Sequence, residues 1–481
     1  MRRINRMAAV AVLTAVAALP ARSPAAAAQP GWRPVEAAQA PDANPLEGFI
    51  PYAGAYTTFP HSMEWFYLPL NAVMTGSHRF DWRPLEEQLN AIAARGHQAA
   101  FRFYLDYPGK PSGIPRFLLD QGLVTHPYDD FGNNGQSVSP DYDDPNLAAA
   151  LDRFIAALGH RYDGDPRVGF VQLGLLGFWG EWHTWPHNGD PGTENWFASQ
   201  AEQLRVLNAY DAAFDETRLM VRYPGADNKA LDMGYHDDSF AYSTLPGPGW
   251  HFMDLMRQAG TTDKWKSNTV AGELRPELQG CLFNTPMDCP GDGDKDFDTS
   301  VTQTHATWLL DHYAFSPGHT GAAYDKALAG AKSLGYELRV TAVKTGHRRL
   351  SVRIQNDGVA PFSYDWPLQV AAVGRDGRIA RTWTTSWRLT GIMPGVPAEL
   401  TTALPISGPA TGPASGPATG PATGPTTGPT TGPTTALRKG DYTLVLRAAN
   451  PLRNGMPLRF ANAGQDTTVP GWLTLGRTRL S

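Results

Sequence analysis

Two hydrophobic periods divide the chain. Between Asn44 and Ser333, short apolar runs alternate with stretches whose apolar residues recur every three or four positions. Beyond Leu334 they recur at every second position, in YELRVTAV, RLSVRIQN, LQVAAVG, YTLVLRAA and GWLTLGRTRL. The first pattern predicts strands alternating with amphipathic helices, and the second predicts antiparallel strands buried on one face. Strands are expected at Gly48–Gly54, Glu64–Asn71, Gln98–Asp106, Arg218–Pro224, Asp238–Thr244 and Asn268–Leu274. A further strand, buried on both faces, opens the run VGFVQLGLLGFWGEWH from Val168 to His183. An eighth unit falls at His305–Tyr313, where the spacing suits a helix as well as a strand. Helices are expected over Pro84–Ala94, Asn146–His160 and about Trp196–Phe214. About eight strand–helix units favour a closed (β/α)8 TIM barrel over residues 44–333 rather than an open doubly wound sheet. Residues 334–481 are expected to form a C-terminal antiparallel β-sandwich. No glycine-rich phosphate loop follows an early strand, which argues against a nucleotide-binding fold.

Composition adds targeting and redox context. Arg2, Arg3 and Arg6 precede the apolar run Met7–Leu19, and Ala25–Ala28 offers small residues for cleavage. Residues 1–28 therefore read as a secretory signal peptide, for which an uncleaved anchor is the alternative, and the protein as secreted or displayed at the cell surface. Residues 29–43 read as a flexible lead-in. A net charge of −5 without a basic block points away from nucleic acid and anionic membranes as partners. Cys281 and Cys289 are the two cysteines, and in an exported chain they are expected to form a disulfide across their loop. Residues 408–435 repeat Gly-Pro-(Ala/Thr)-(Thr/Ser) with period four, which is not the collagen period and cannot bury a core; they read as a disordered insertion in the sandwich.

In a barrel, chemistry gathers at the C-terminal ends of the strands. Glu181 ends the fourth strand's run, among Trp179, Trp182 and His183. Glu273 shares its parity with Thr269 and Ala271, which turns it inward at the end of the seventh strand. Arg102 and Asp106 alternate with the apolar Phe101, Phe103 and Leu105, and Arg222 sits alone on the fifth strand. Two strand-end carboxyls are what glycoside cleavage needs, one protonated and one ionised. The tryptophans would shield Glu181 and suit it to the acid role, with Arg275 keeping Glu273 ionised. Arg102, Asp106, Trp179, Trp182, His183 and Arg222 would shape the sugar site. The alternating Asp292, Asp294, Asp296 and Asp298 lack the glycine and final glutamate of a calcium loop and read as a solvated acidic loop. His183 and His187 flank Pro186 and so are not a helical zinc pair; no metal or cofactor is expected. Asp227, Asp237 and Asp238 are spare candidate acids.

The segment His160–His183 resembles the fourth-strand region of (β/α)8 retaining glycosidases, and Val270–Leu274 is placed like that superfamily's nucleophile strand. Over most of the chain, NPLEGF at Asn44–Phe49, the Glu64-Trp65 strand, Gly234–Asp238 and the C-terminal strands are similar to an exported bacterial family of unknown function with a glycosidase-like barrel and a β-sandwich. The resemblance implies a carbohydrate-active protein with Glu181 as acid/base and Glu273 as nucleophile. It departs at one place: the retaining superfamily carries Asn before the acid/base, and this chain carries Gly180. A secreted glycoside hydrolase acting on a poly- or oligosaccharide is therefore expected. The departure at Gly180 supports the alternative, a non-catalytic glycan-binding or cell-surface protein on the same scaffold.

Overall fold

The computed structural model describes residues 31–129, 135–189, 191–346, 348–406 and 436–480. The expected signal peptide and the Gly-Pro repeat lie outside the described residues. Eight parallel strands form one sheet: β1 (Gly48–Ile50), β2 (Met63–Pro69), β3 (Gln98–Tyr104), β4 (Val168–Gln172), β5 (Arg218–Val221), β6 (Met233–Phe240), β7 (Val270–Leu274) and β8 (Trp308–Leu310). Their order round the sheet is their order in the chain, and β8 pairs with β1. Closure comes just past β1: Trp65 N–H donates to the Pro51 carbonyl at 2.8 Å, and Ala53 N–H donates to the Trp65 carbonyl at 2.7 Å. The sheet is thus an eight-stranded parallel barrel of the TIM type, joined at its last seam by this bridge, as the sequence predicts, with no helix between the first and second or the fifth and sixth strands.

The helices follow from the apolar stripes. In α2 (Pro145–Tyr162), which follows α1 (Arg83–Ala94), Leu147, Leu151, Phe154, Ile155 and Leu158 are all buried. Burial of side chains of this kind contributes about 1.5–3 kcal/mol each. Asp144 caps the helix, accepting from the backbone N–H groups of Asn146 and Leu147. The remaining outer helices are α3 (Gln200–Ala213), α4 (Phe252–Ala259), α5 (Phe297–Thr304) and α6 (Gly321–Ser333). On β3, Phe101 and Phe103 face this helical layer while Arg102 points into the barrel.

Beyond α6 the chain forms β9 (Leu338–Thr345), β10 (Arg349–Asn356), β11 (Leu368–Val373), β12 (Ile379–Thr384), β13 (Ala398–Ala403), β14 (Gly440–Ala448) and β15 (Leu473–Leu480). These make two four-stranded antiparallel sheets: β9, β10 and β13 joined by Arg33–Pro34, and β12-β11-β14-β15. Leu338, Val340, Val352 and Ile354 of one sheet share a hydrophobic cluster with Leu368, Val370, Leu444 and Leu446 of the other. The same cluster continues into the barrel interior through Met63, Trp65, Phe170 and Trp308. Tyr364 ties the parts together: its hydroxyl donates to the Gly169 carbonyl at 2.5 Å and accepts from Arg218 N–H at 3.0 Å. Gly169 and Arg218 lie where β4 and β5 begin, so the sheets cover the N-terminal end of the barrel and leave the C-terminal ends of its strands free.

Three expectations need correction. The lead-in is not free throughout, because Arg33 and Pro34 pair with Val343 and Ala342 of β9. The sixth strand starts at Met233, not Asp238, which moves Asp238 from the start of a strand to its C-terminal part. Strands β12 and β13 lay outside the period-two reading; they are sheet edges with largely exposed residues, so their alternation is weak. The Cys281–Cys289 disulfide is present, between β7 and α5.

Candidate functional site

Strand β4 ends at Gln172, and Glu181 reaches the barrel mouth on the loop that follows rather than on the strand itself. That loop folds back on itself: Trp182 N–H donates to the Leu176 carbonyl, Phe178 N–H to the His183 carbonyl, and Glu181 N–H to the Phe178 carbonyl. Leu175, Trp179 and Trp182 all have positive φ, at 74°, 55° and 60°. Such backbone is costly for residues with a Cβ and persists only where its surroundings hold it. Trp182 provides part of that hold, since its indole N–H donates to the Leu173 carbonyl at 2.9 Å and its ring is buried in the helical core.

Gly180 has φ 72°, and a Cβ placed there would lie 2.8 Å from the Phe103 carbonyl oxygen. The backbone of β3 therefore leaves no room for a side chain.

The loop brings Glu181 into a buried ionic network. One Glu181 oxygen accepts from Arg102 at 2.9 Å, and the other accepts from Arg222 at 2.8 Å. The same guanidiniums meet Asp238, Arg222 at 2.6 Å and Arg102 at 3.5 Å. Asp238 also lies 2.9 Å from Nδ1 of His236, whose ring sits against Trp65 and Trp308. Arg102, with no exposed surface, donates to the Tyr67 hydroxyl at 2.8 Å as well. These cations hold the Asp238 carboxyl well below its ordinary pKa, against the opposing effect of its burial.

Glu273 enters from β7, opposite. Carboxylate oxygens of Glu181, Asp238 and Glu273 all lie within 4.8 Å of one another. Unlike the other two, Glu273 has no hydrogen bond from the protein among the described residues. Burial raises its pKa well above the ordinary value, and the neighbouring Glu181 and Asp238 charges raise it further. The Tyr107 hydroxyl is pushed up to about 12 by burial and by both glutamates.

The sequence-predicted residues therefore separate. Arg102, Arg222, Glu181 and Glu273 meet at the mouth, with His183 3.7 Å from Glu181 and Trp179 in ring contact with His183. Trp182 faces the core instead, where it supports the loop. Asp106 is also turned away: its carboxyl accepts from the Tyr128 hydroxyl at 2.7 Å, not from Arg102. Arg275 pairs with Glu277 at 2.9 Å and stacks on Tyr242, so it does not serve Glu273. Of the spare acids, Asp227 accepts from Gln200, and Asp237 points outward to Thr244. Asp294 and Asp296 hold backbone N–H groups of Leu245 and Thr299.

Tyr52, Tyr67, Tyr107 and His236 were not among the site residues expected from the sequence, although His236 lies in the Gly234–Asp238 segment that carries the family resemblance. His236 and Asp238 share a strand face, a signal hidden by placing the sixth strand too late.

The three clustered carboxylates have the spacing of a cation site, but Arg102 and Arg222 already supply their counter-charge. A second cluster, His61, Glu64 and His97, is similarly committed. Glu64 accepts from Arg95, at 2.8 Å on one oxygen and 2.5 Å on the other, and from Gly54 N–H.

No protein-family model matches the chain, and no curated protein does. Among solved structures, the chain is similar to the catalytic domain of a β-amylase from Paenibacillus polymyxa, with 10% identity and a TM-score of 0.38 over 62% of this chain and 99% of that one. It is similar to a thermostable mutant of the xylanase Xyn10A from Cellvibrio japonicus, with 10% identity and a TM-score of 0.36 over 60% and 98%. It is also similar to GH5_18 from Bifidobacterium longum, with 11% identity and a TM-score of 0.31 over 56% and 69%.

Proposed function

We propose that this protein is an exported glycoside hydrolase. The observation that carries the reading is the pair of glutamates whose oxygens approach within 4.8 Å at the barrel mouth, one bound by two guanidiniums and the other without a protein partner. Glycoside cleavage needs one carboxylate and one carboxylic acid facing each other, and oxygens no more than 4.8 Å apart favour the close pair of retaining chemistry over the wider gap of inverting chemistry. We assign the two roles the other way round from the sequence expectation, on their surroundings. Glu181, held by Arg102 and Arg222, is the nucleophile, and Glu273 is the acid. In the first step Glu181 bonds to the anomeric carbon while Glu273 gives its proton to the departing glycosidic oxygen. In the second, Glu273 takes a proton from water, whose oxygen displaces Glu181 and restores both groups. Asp238 fixes the two arginines. The antiparallel sheets are read as a sandwich that closes the barrel floor, and export through residues 1–28 belongs to the same reading.

The test is a glycan panel with the parent, Glu181→Gln and Glu273→Gln. Hydrolysis by the parent is expected to fall by about 100-fold or more in each variant, with folding retained. Unchanged turnover in both variants would refute the assignment. Gly180 favours a second reading, glycan binding without hydrolysis, because the Asn that contacts the sugar in retaining enzymes has no room here. Binding across the panel with no cleavage would support that alternative.

A further inference from the structure

The sheet β12-β11-β14-β15 has one face on the apolar cluster that it shares with the other sheet, through Leu444 and Leu446 of β14. Thr443 and Val445 therefore face the opposite way. On that outer face Val373 of β11 stands opposite Thr443, and Thr443 stands opposite Arg477 of β15, with Asp441 opposite Arg479. Val373, Val445 and Trp472 form a small apolar cluster of their own there. Beside it runs a groove of about 690 Å³, within the size range of ligand sites, lined by Val373, Asp441, Thr443, Arg375, Arg477 and Arg479.

The lining is basic in a chain whose net charge is −5: three guanidiniums face one carboxylate. Arg375 pairs with Asp441, and both are exposed. An exposed pair of this kind is weak, so Arg375 can turn to a ligand. Arg477 and Arg479 are exposed and have no ion pair or side-chain hydrogen bond among the described residues. Two positions apart on one strand, they repeat roughly every 7 Å along it. Arg438 and Lys439, both exposed, lead into β14 and bring two more cations to the same end of the sheet. The groove also has the means to hold a sugar. The half-buried Tyr442 ring and the hydroxyls of Thr468 and Thr478 complete its lining, and a hydroxyl-bearing ligand can donate to Asp441. A polymer with an anion at every contact would instead set like charge against that aspartate.

The groove is separate from the barrel mouth. Strand β11 begins four residues after Tyr364, which bonds to Gly169 at the barrel floor, and ends at Val373 in the groove. A ligand there leaves Glu181 and Glu273 accessible at the opposite end of the barrel.

We propose that this groove binds an acidic polysaccharide, with uronate carboxylates on Arg477 and Arg479, and holds the protein on such a polymer while the barrel mouth stays free. Guanidinium forks match carboxylates in shape as well as charge.

The test is isothermal titration calorimetry of the full chain with hexagalacturonate and hexaguluronate, and with cellohexaose as the neutral control. All proteins carry Glu273→Gln, so that no ligand is consumed. Binding of a uronate that weakens by about tenfold or more in Arg477→Gln/Arg479→Gln, at an unchanged unfolding temperature, supports the proposal. Asp441→Asn, which removes the opposing charge and leaves the arginines in place, is expected to tighten binding. Absence of binding by both uronates, or binding unchanged in the double variant, overturns it. So does arginine-dependent binding of duplex DNA or of phosphatidylglycerol vesicles without binding of either uronate. The hydrolase reading is decided by cleavage at Glu181 and Glu273, so either proposal can fail while the other stands.

Discussion

At the scale of single residues, the site turns on two carboxyls that are chemically alike and differently surrounded. Glu181 is hydrogen-bonded by both arginines, whereas at Glu273 burial and the Glu181 and Asp238 charges outweigh the more distant pull of the same arginines. That difference has a consequence for stability as well as catalysis. A carboxyl whose pKa is higher in the folded than in the unfolded state favours folding below its unfolded value, and this contribution is lost as pH rises through the folded value. Glutamine at position 273 cannot ionise and avoids the loss. Glu273→Gln is therefore expected to unfold several degrees above the parent at about pH 9 and together with it at about pH 4, measured by calorimetry. A variant less stable than the parent at the higher pH would contradict the environment described for Glu273.

The element that delivers the chemistry is the loop after β4. Its apolar and glycine-rich composition marked it as special, but the reading of Glu181 as the end of a strand was wrong in form. Periodicity reports which faces are buried; it does not report a chain that doubles back through left-handed residues, because those are stabilised by contacts with β3 and the helical core. Gly180→Ala places a Cβ at 2.8 Å from the Phe103 carbonyl and in a left-handed conformation. The conformation alone costs about 1–2 kcal/mol. Gly180→Ala is expected to lower the unfolding temperature and, by displacing Glu181, to lose most hydrolytic activity. A variant with parental stability and turnover would show that the loop tolerates a side chain there.

For the whole molecule, the decisive feature is the floor of the barrel. Barrel and antiparallel sheets share one apolar cluster, and Tyr364, Ser363 and Tyr336 bond across the junction to Gly169, Arg218, Thr269 and Pro45. Residues 44–333 made alone would expose Met63, Trp65, Phe170 and their neighbours at the open end. That fragment is expected to lack a cooperative thermal transition by circular dichroism while the full chain shows one. A cooperative, soluble fragment would mean that the sheets are an appendage rather than part of the core. The sequence by itself determined the strand–helix alternation, the period-two strands after Leu334, the disulfide and the inward placement of Arg102 and Glu273, because these depend on local spacing and on which face of an element is apolar. Only the tertiary structure decided that Asp238 and His236 join the site, that Asp106 and Trp182 leave it, that position 180 has no room for asparagine, and that the arginines hydrogen-bond Glu181 rather than Glu273. Those outcomes depend on which loops and strands meet over the barrel axis, and side chains brought together from distant parts of the chain leave no periodic trace in it.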